Sequence, residues 1–66
     1  MEKYGFSFVK LTHANNAGAI AVRADMVIMI ECCGSEGTIV SLGNGDSFMC
    51  KESVEEVFTA LNNALN

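Results

Sequence analysis

Thr38-Ile-Val-Ser-Leu-Gly-Asn-Gly-Asp-Ser-Phe-Met-Cys-Lys-Glu-Ser-Val-Glu-Glu-Val57 decides the fold. This run carries a strand, a tight turn, a second strand and a capped helix start. Asn44-Gly45 between two apolar runs has the sequence of a two-residue type I′ hairpin, whose central positions both take positive φ. That turn predicts a register with Leu42 opposite Ser47, Ser41 opposite Phe48, Val40 opposite Met49 and Ile39 opposite Cys50. Val40, Leu42 and Met49 would then share one face, and Ile39, Phe48 and Cys50 the other. Downstream, Ser53 and Glu56 form a Ser-x-x-Glu capping box, which satisfies free amides at a helix start. Glu52, Glu55 and Glu56 also complement the positive end of the helix dipole. Val54, Val57, Phe58, Leu61 and Leu65 recur at helical spacing, so a helix over 53–65 is expected to turn that stripe toward a sheet. Asn62, Asn63 and Asn66 read as its solvated end.

Upstream, Phe6 to His13 reads as a first strand. Val9, Leu11 and His13 lie on one face, and Phe6, Phe8, Lys10 and Thr12 on the other. Ala14-Asn-Asn-Ala-Gly18 suits a hairpin loop, since Asn15, Asn16 and Gly18 tolerate left-handed backbone. Ala19 to Arg23 returns along the first strand. The pattern breaks at Ala24-Asp25-Met26, where the chain can bend. Val27 to Cys33 is apolar on both faces, as expected of a central strand or of one covered by a partner. Gly34-Ser-Glu-Gly37 is a loop by composition. The expectation is an α+β fold, a small antiparallel sheet of three to five strands in a β-meander followed by one C-terminal helix.

At 66 residues the chain is read as a single domain, 1–66, with the order of Met1–Gly5 left open. A chain this short buries only about 60% of the surface its unfolded form exposes. Small domains commonly need disulfides, a metal or a partner subunit. Half of the residues are hydrophobic, more than a tiny monomer hides comfortably. One helix covers only one face of the sheet, so a homo-oligomer, with a dimer as its simplest form, is expected. Ile28, Ile30, Ile39, Phe48 and Cys50 are the interface candidates. Val54, Val57, Phe58, Leu61 and Leu65 are the helix-packing residues.

The net charge is −4, with Lys3, Lys10, Arg23 and Lys51 as the cations against eight carboxylates. Nucleic-acid affinity draws on phosphate neutralisation, and four scattered cations argue against it. The same balance argues against anionic membranes. Ala19 to Cys33 is too short and too charged to span a bilayer. The N-terminal residues show no signal-peptide apolar region. A cytoplasmic protein is expected.

No catalytic constellation, metal site or cofactor site is expected. Cys32, Cys33 and Cys50 are an odd set, read as free thiols that behave as small hydrophobes. Zinc needs about four ligands at suitable spacing, and His13 is the lone histidine. His13 reads as a solvated strand-end residue without a carboxylate partner. Asp25, Glu31 and Asp46 have no spacing that unites them. Gly43-Asn44-Gly45 precedes a strand, whereas a phosphate-binding loop leads into a helix. Met26, Met29, Met49, Phe48 and Phe58 read as core or subunit interface.

Val9-Lys-Leu-Thr12, Ile20-Ala-Val-Arg-Ala-Asp-Met-Val27, Ile30-Glu31, Thr38-Ile-Val-Ser-Leu42, Asn44-Gly45 and Lys51-Glu-Ser-Val-Glu-Glu-Val57 together resemble the FlbD/SwrD-like small flagellar-motility proteins. The likeness covers roughly residues 8–60. It implies a non-enzymatic accessory or regulatory protein and supplies no catalytic residues. Short β-rich proteins of this kind are also expected in phages and mobile elements. Ile30-Glu31, strand, turn, strand and the Ser53-x-x-Glu56 helix more weakly resemble LytTR-type DNA-binding domains, but the charge balance opposes DNA binding. The functional expectation is a small homo-oligomeric interaction module acting through an unidentified protein partner. The alternative is an oligomer that binds or sequesters a small molecule such as a nucleotide. Lys10, Arg23 or Lys51 gathered at a subunit seam would favour that alternative.

Overall fold

A computed structural model of the chain describes residues 7–15 and 18–65. The expectations for Phe6, Asn16, Asn66 and Met1–Gly5 lie outside the described residues. Strands β1 (Phe8–Thr12) and β2 (Ala19–Arg23) form an antiparallel pair. A 3-10 turn over Ala24–Met26 leads into β3 (Val27–Cys32). A second 3-10 turn over Gly34–Glu36 leads into β4 (Thr38–Leu42). Strand β5 (Ser47–Cys50) and helix α1 (Val54–Leu65) complete the chain. The fold is α+β, with antiparallel sheets and one C-terminal helix.

The sheet is not one meander. β1 and β2 form a two-stranded sheet, and β3, β4 and β5 a three-stranded one in that order. β2 does not pair with β3, because the turn at Ala24–Met26 redirects the chain and buries Ala24. The two sheets meet at the far end of β1, where His13 bridges Cys50. Ala14 N–H donates to Met49 O at 2.9 Å and Lys51 N–H to Thr12 O at 2.9 Å. Beyond Lys51 the chain leaves the ladder, so no further β5 carbonyl is available to Thr12. The Glu52 carboxylate replaces it, accepting Thr12 N–H at 3.0 and 3.1 Å. The Thr38 hydroxyl, wholly buried, donates to Glu52 O at 2.7 Å.

The hairpin after β4 differs from the expected two-residue turn. Leu42 N–H donates to Asp46 O at 2.8 Å and Gly45 N–H to Leu42 O at 3.1 Å, enclosing a three-residue loop. Gly45 supplies a positive φ, at 98°, as a type I turn with a following left-handed residue requires. The register is therefore one residue away from the expected one: Thr38 faces Cys50, Ile39 faces Met49, Val40 faces Phe48 and Ser41 faces Ser47. A one-residue slip exchanges the faces of a strand. Thr38, Val40, Phe48 and Cys50 now line the inside, and Ile39 and Met49 lie outside.

The core among the described residues consists of Val9, Leu11, Val22, Ala24, Val40, Cys50 and Val57. These are small side chains, and Val57 is the one buried residue that the helix contributes. Val27, Ile30, Leu42, Phe48, Ala60, Leu61 and Ala64 pack partly against it. The helix lies against β1, β3 and the Ala24–Met26 turn. Its capping box forms as expected: Glu56 N–H donates to Ser53 Oγ at 3.1 Å, and Ser53 N–H to Glu56 Oε1 at 2.9 Å. Of the expected packing stripe, Val57 is buried and Val54 and Leu61 are half-buried. Phe58 and Leu65 instead stand mostly in solvent, because Ala60 and Ala64 occupy the inward positions.

Candidate interaction surface

β3 is an edge strand among the described residues, which leaves a covering partner as the remaining one of the two expectations for its apolar sequence. It pairs with β4 on one side: Val27 with Leu42, Met29 with Ser41, Ile30 with Val40, Glu31 with Ile39 and Cys32 with Thr38. The register shifts between Val27 and Met29, so Ile28 is an extra, bulged residue. Ile28 is 70% exposed and Met29 51% exposed. Among the described residues no strand pairs with the other side of β3. Edge strands in native proteins are usually blunted by Lys, Pro, bulges or covering loops. Here the bulge at Ile28 and the single charge of Glu31 are the protections within the strand, and Met29–Cys32 is regular.

The outer face of this sheet carries Met29, Glu31, Ile39, Ser41, Ser47 and Met49, by the pairing register. Ile39 and Met49 are half-buried there. Phe8 on β1 is also largely exposed, beside Lys10 and opposite Arg23. The interface candidates thus separate. Ile28 is exposed and Ile39 half-buried on the outer side. Ile30 and Phe48 pack partly against the core, and Cys50 is wholly enclosed in it. Cys50 and Phe48 therefore face the core and not an interface, because the β4–β5 register lies one residue from the expected one. Exposed Phe58 and Leu65 join the apolar surface instead of the packing stripe.

The polar groups are dispersed. Arg23 donates to both Asp25 oxygens, at 3.1 and 2.8 Å, and that guanidinium holds the Asp25 carboxyl below the usual carboxylate range. Asp46 N–H donates to Asn44 Oδ1 at 2.9 Å within the hairpin loop. Glu31 stands on β3, so the three acids are not brought together. Asn15 N–H donates to His13 Nδ1 at 3.2 Å. Among the described residues no group of three His, Cys, Asp or Glu side chains could hold a metal ion. Cys32, Cys33 and Cys50 are free thiols. Burial pushes the Cys50 thiol pKa up, and the neighbouring Glu52 carboxylate adds to this.

Lys10 and Arg23 lie on the β1–β2 pair, while Lys51 follows β5. Lys51 lines a cleft of about 340 Å³ with Cys32, Ser35, Gly37, Ser53 and Glu55. No helix among the described residues is long and apolar enough to cross a membrane. Sequence reasoning missed two features of this surface: the edge position of β3 and the closing of the last rung by Glu52. The available signal for the second is that Glu52 falls two residues after the end of β5. Its reading as a helix-dipole partner hid that alternative.

The chain is therefore a small α+β domain whose most exposed apolar features are a strand edge and a helix stripe. Comparison with known proteins found no matching family model, no similar curated protein and no similar solved structure.

Proposed function

We propose that this chain is a small, non-enzymatic, cytoplasmic interaction module. It acts as a homo-oligomer and regulates or scaffolds a protein partner. The observation that carries this reading is the apolar edge of β3, which no strand among the described residues pairs, with Ile28 and Met29 in solvent. The small core supports it, because a domain of this size gains stability by burying surface against another subunit. The resemblance to flagellar-motility proteins is in keeping with an accessory or regulatory role. The dispersal of Asp25, Glu31, Asp46 and His13 supports a non-catalytic role.

A second reading is an oligomer that binds or sequesters a small molecule, and the Lys51 cleft favours it. Its volume falls within the range of ligand pockets. Glu55 lines the same cleft and opposes an anionic ligand there. Native mass spectrometry of gently purified protein decides between the readings. A multiple of the 7.1 kDa chain mass with no added mass supports the interaction module. A stoichiometric added mass selects the ligand binder. A monomer at every concentration, at the 7.1 kDa chain mass, refutes the first reading.

A further inference from the structure

We infer that Asn44 is a self-modification site in the folded chain. The Gly45 nitrogen attacks the Asn44 side-chain amide, ammonia leaves, and water opens the resulting succinimide to aspartate or isoaspartate at position 44. This goes beyond the interaction reading above and does not depend on it.

Three features of the β4–β5 loop carry the inference. The first is the nucleophile. Gly45 has no side chain to hinder its nitrogen. It stands at φ 98°, and nothing lies within 4 Å of the place where a Cβ would be. Gly43, Asn44, Gly45 and Asp46 are all exposed, so water reaches the loop. The second is the electrophile. Asp46 N–H donates to Asn44 Oδ1 at 2.9 Å, which polarises Cγ and stabilises the negative charge that grows on Oδ1 during attack. The third is the leaving group. Asn44 Nδ2 donates to Asp46 Oδ2 at 3.3 Å. That nitrogen takes up a proton before it departs, and a carboxylate beside it favours the cationic state. None of Asn15, Asn16, Asn62 or Asn63 is followed by glycine.

One contact opposes the attack. Gly45 N–H donates to Leu42 O at 3.1 Å and must release it. The loop is closed independently by the shorter bond from Leu42 N–H to Asp46 O, at 2.8 Å. The inner turn therefore opens while the β4–β5 ladder stays paired, and such local opening costs far less than global unfolding. Attack then joins groups on adjoining residues, with no encounter to arrange.

The chemistry balances with water alone. The Gly45 N–Asn44 Cγ bond forms and the Cγ–Nδ2 bond breaks. The Gly45 amide proton passes to solvent, and solvent protonates Nδ2. Water then adds to one ring carbonyl and breaks its bond to the Gly45 nitrogen. Opening at Cγ leaves aspartate, and opening at the main-chain carbonyl leaves isoaspartate. Either product puts a new carboxylate beside Asp46 and adds one negative charge to a chain of net −4. Isoaspartate also inserts a methylene into the main chain of the loop. That loop sets the register that keeps Val40 and Cys50 inside, so the modified hairpin is the less stable one. The amide is not regained, and the modified fraction records the age of the chain.

Peptide mapping of the folded, full-length chain tests this. The protein is incubated at mildly alkaline pH, with circular dichroism confirming that it stays folded, and then digested with trypsin. Asn44 is the sole amide side chain in the peptide Ala24–Lys51, whereas Leu11–Arg23 and Glu52–Asn66 carry the other asparagines. Mass spectrometry is expected to show amide-to-acid conversion in Ala24–Lys51 first, with isoaspartate among the products. The converted chain, separated by anion exchange, is expected to unfold at lower urea than the unconverted chain. A folded chain that keeps the Asn44 amide while the urea-unfolded chain loses it overturns the inference, because the turn then protects the site. Conversion to aspartate with no isoaspartate overturns the attack by Gly45. Equal or faster conversion in the other two peptides overturns the assignment to this loop.

Discussion

Glu52→Ala removes the group that closes the junction between the two sheets. In the native chain its carboxylate accepts Thr12 N–H from both oxygens, at 3.0 and 3.1 Å, where β5 supplies no carbonyl. A hydrogen bond to a charged group contributes about 1.5–3 kcal/mol. Glu52 is only half-buried, so solvent screens part of this, and a loss of about 1–2 kcal/mol is expected. Domains of this kind have total stabilities of about 0.05–0.15 kcal/mol per residue, so the loss is a large fraction. The melting temperature should fall by roughly 5–15 °C. Glu52→Gln keeps an acceptor oxygen and should lose about half as much.

The pH dependence gives a sharper test. Partial burial works to raise the Glu52 pKa, but the hydrogen bonds from Thr12 outweigh it, and the folded-state pKa lies below the ordinary value of 4.5. A lowered folded-state pKa contributes stability that is fully present above the unfolded pKa. That contribution is lost as pH falls through the folded one. Urea unfolding followed by circular dichroism, at fixed protein concentration, should show native protein above Glu52→Gln at neutral pH. The gap should close on acidification below about pH 4.5. Equal midpoints for native protein and Glu52→Ala at neutral pH, or a gap that widens in acid, would refute this account of the junction.

Further outcomes follow from single residues. Gly37 has φ of 131°, and a side chain there would strike the Cys50 carbonyl oxygen, so Gly37→Ala should cost about 3 kcal/mol or abolish the melting transition. Gly45→Ala should destabilise by at least about 1 kcal/mol in urea titrations, because Gly45 holds the left-handed position at φ 98°. Asn44→Ala should cost less, which a type I′ turn would not predict. Val57→Ala should cost about 2 kcal/mol through the cavity it leaves, whereas Phe58→Ala, at a position 58% exposed, should cost less than about 1 kcal/mol by thermal melting.

Several parts of this structure were legible because local signals agreed. The Ser53–Glu56 capping box has a stereochemistry that its sequence fully specifies, and both of its bonds form. The alternation of Val9 and Leu11 with Phe8 and Lys10 placed the first strand's faces correctly. The hairpin register was not legible. Phe48, Met49 and Cys50 are consecutive apolar residues, so their pattern does not choose a face, and Gly43-Asn44-Gly45 suits both a two- and a three-residue loop. The tertiary need to enclose Phe48 and Cys50 decided the register. β3 stayed open between two expectations for a related reason. Apolar residues on both faces report that a strand needs cover, not whether cover comes from the same sheet or from another chain. That ambiguity is also why the candidate surface was only partly legible. Ile28 and Ile39 face outward, whereas Phe48 and Cys50 face inward.

Equilibrium sedimentation of the unmodified chain, from low micromolar to high concentration, tests the central claim most directly. The account predicts a mass that rises from 7.1 kDa toward twice that value, with the midpoint moving to lower concentration as salt is added. A mass of 7.1 kDa at every concentration and salt would contradict it.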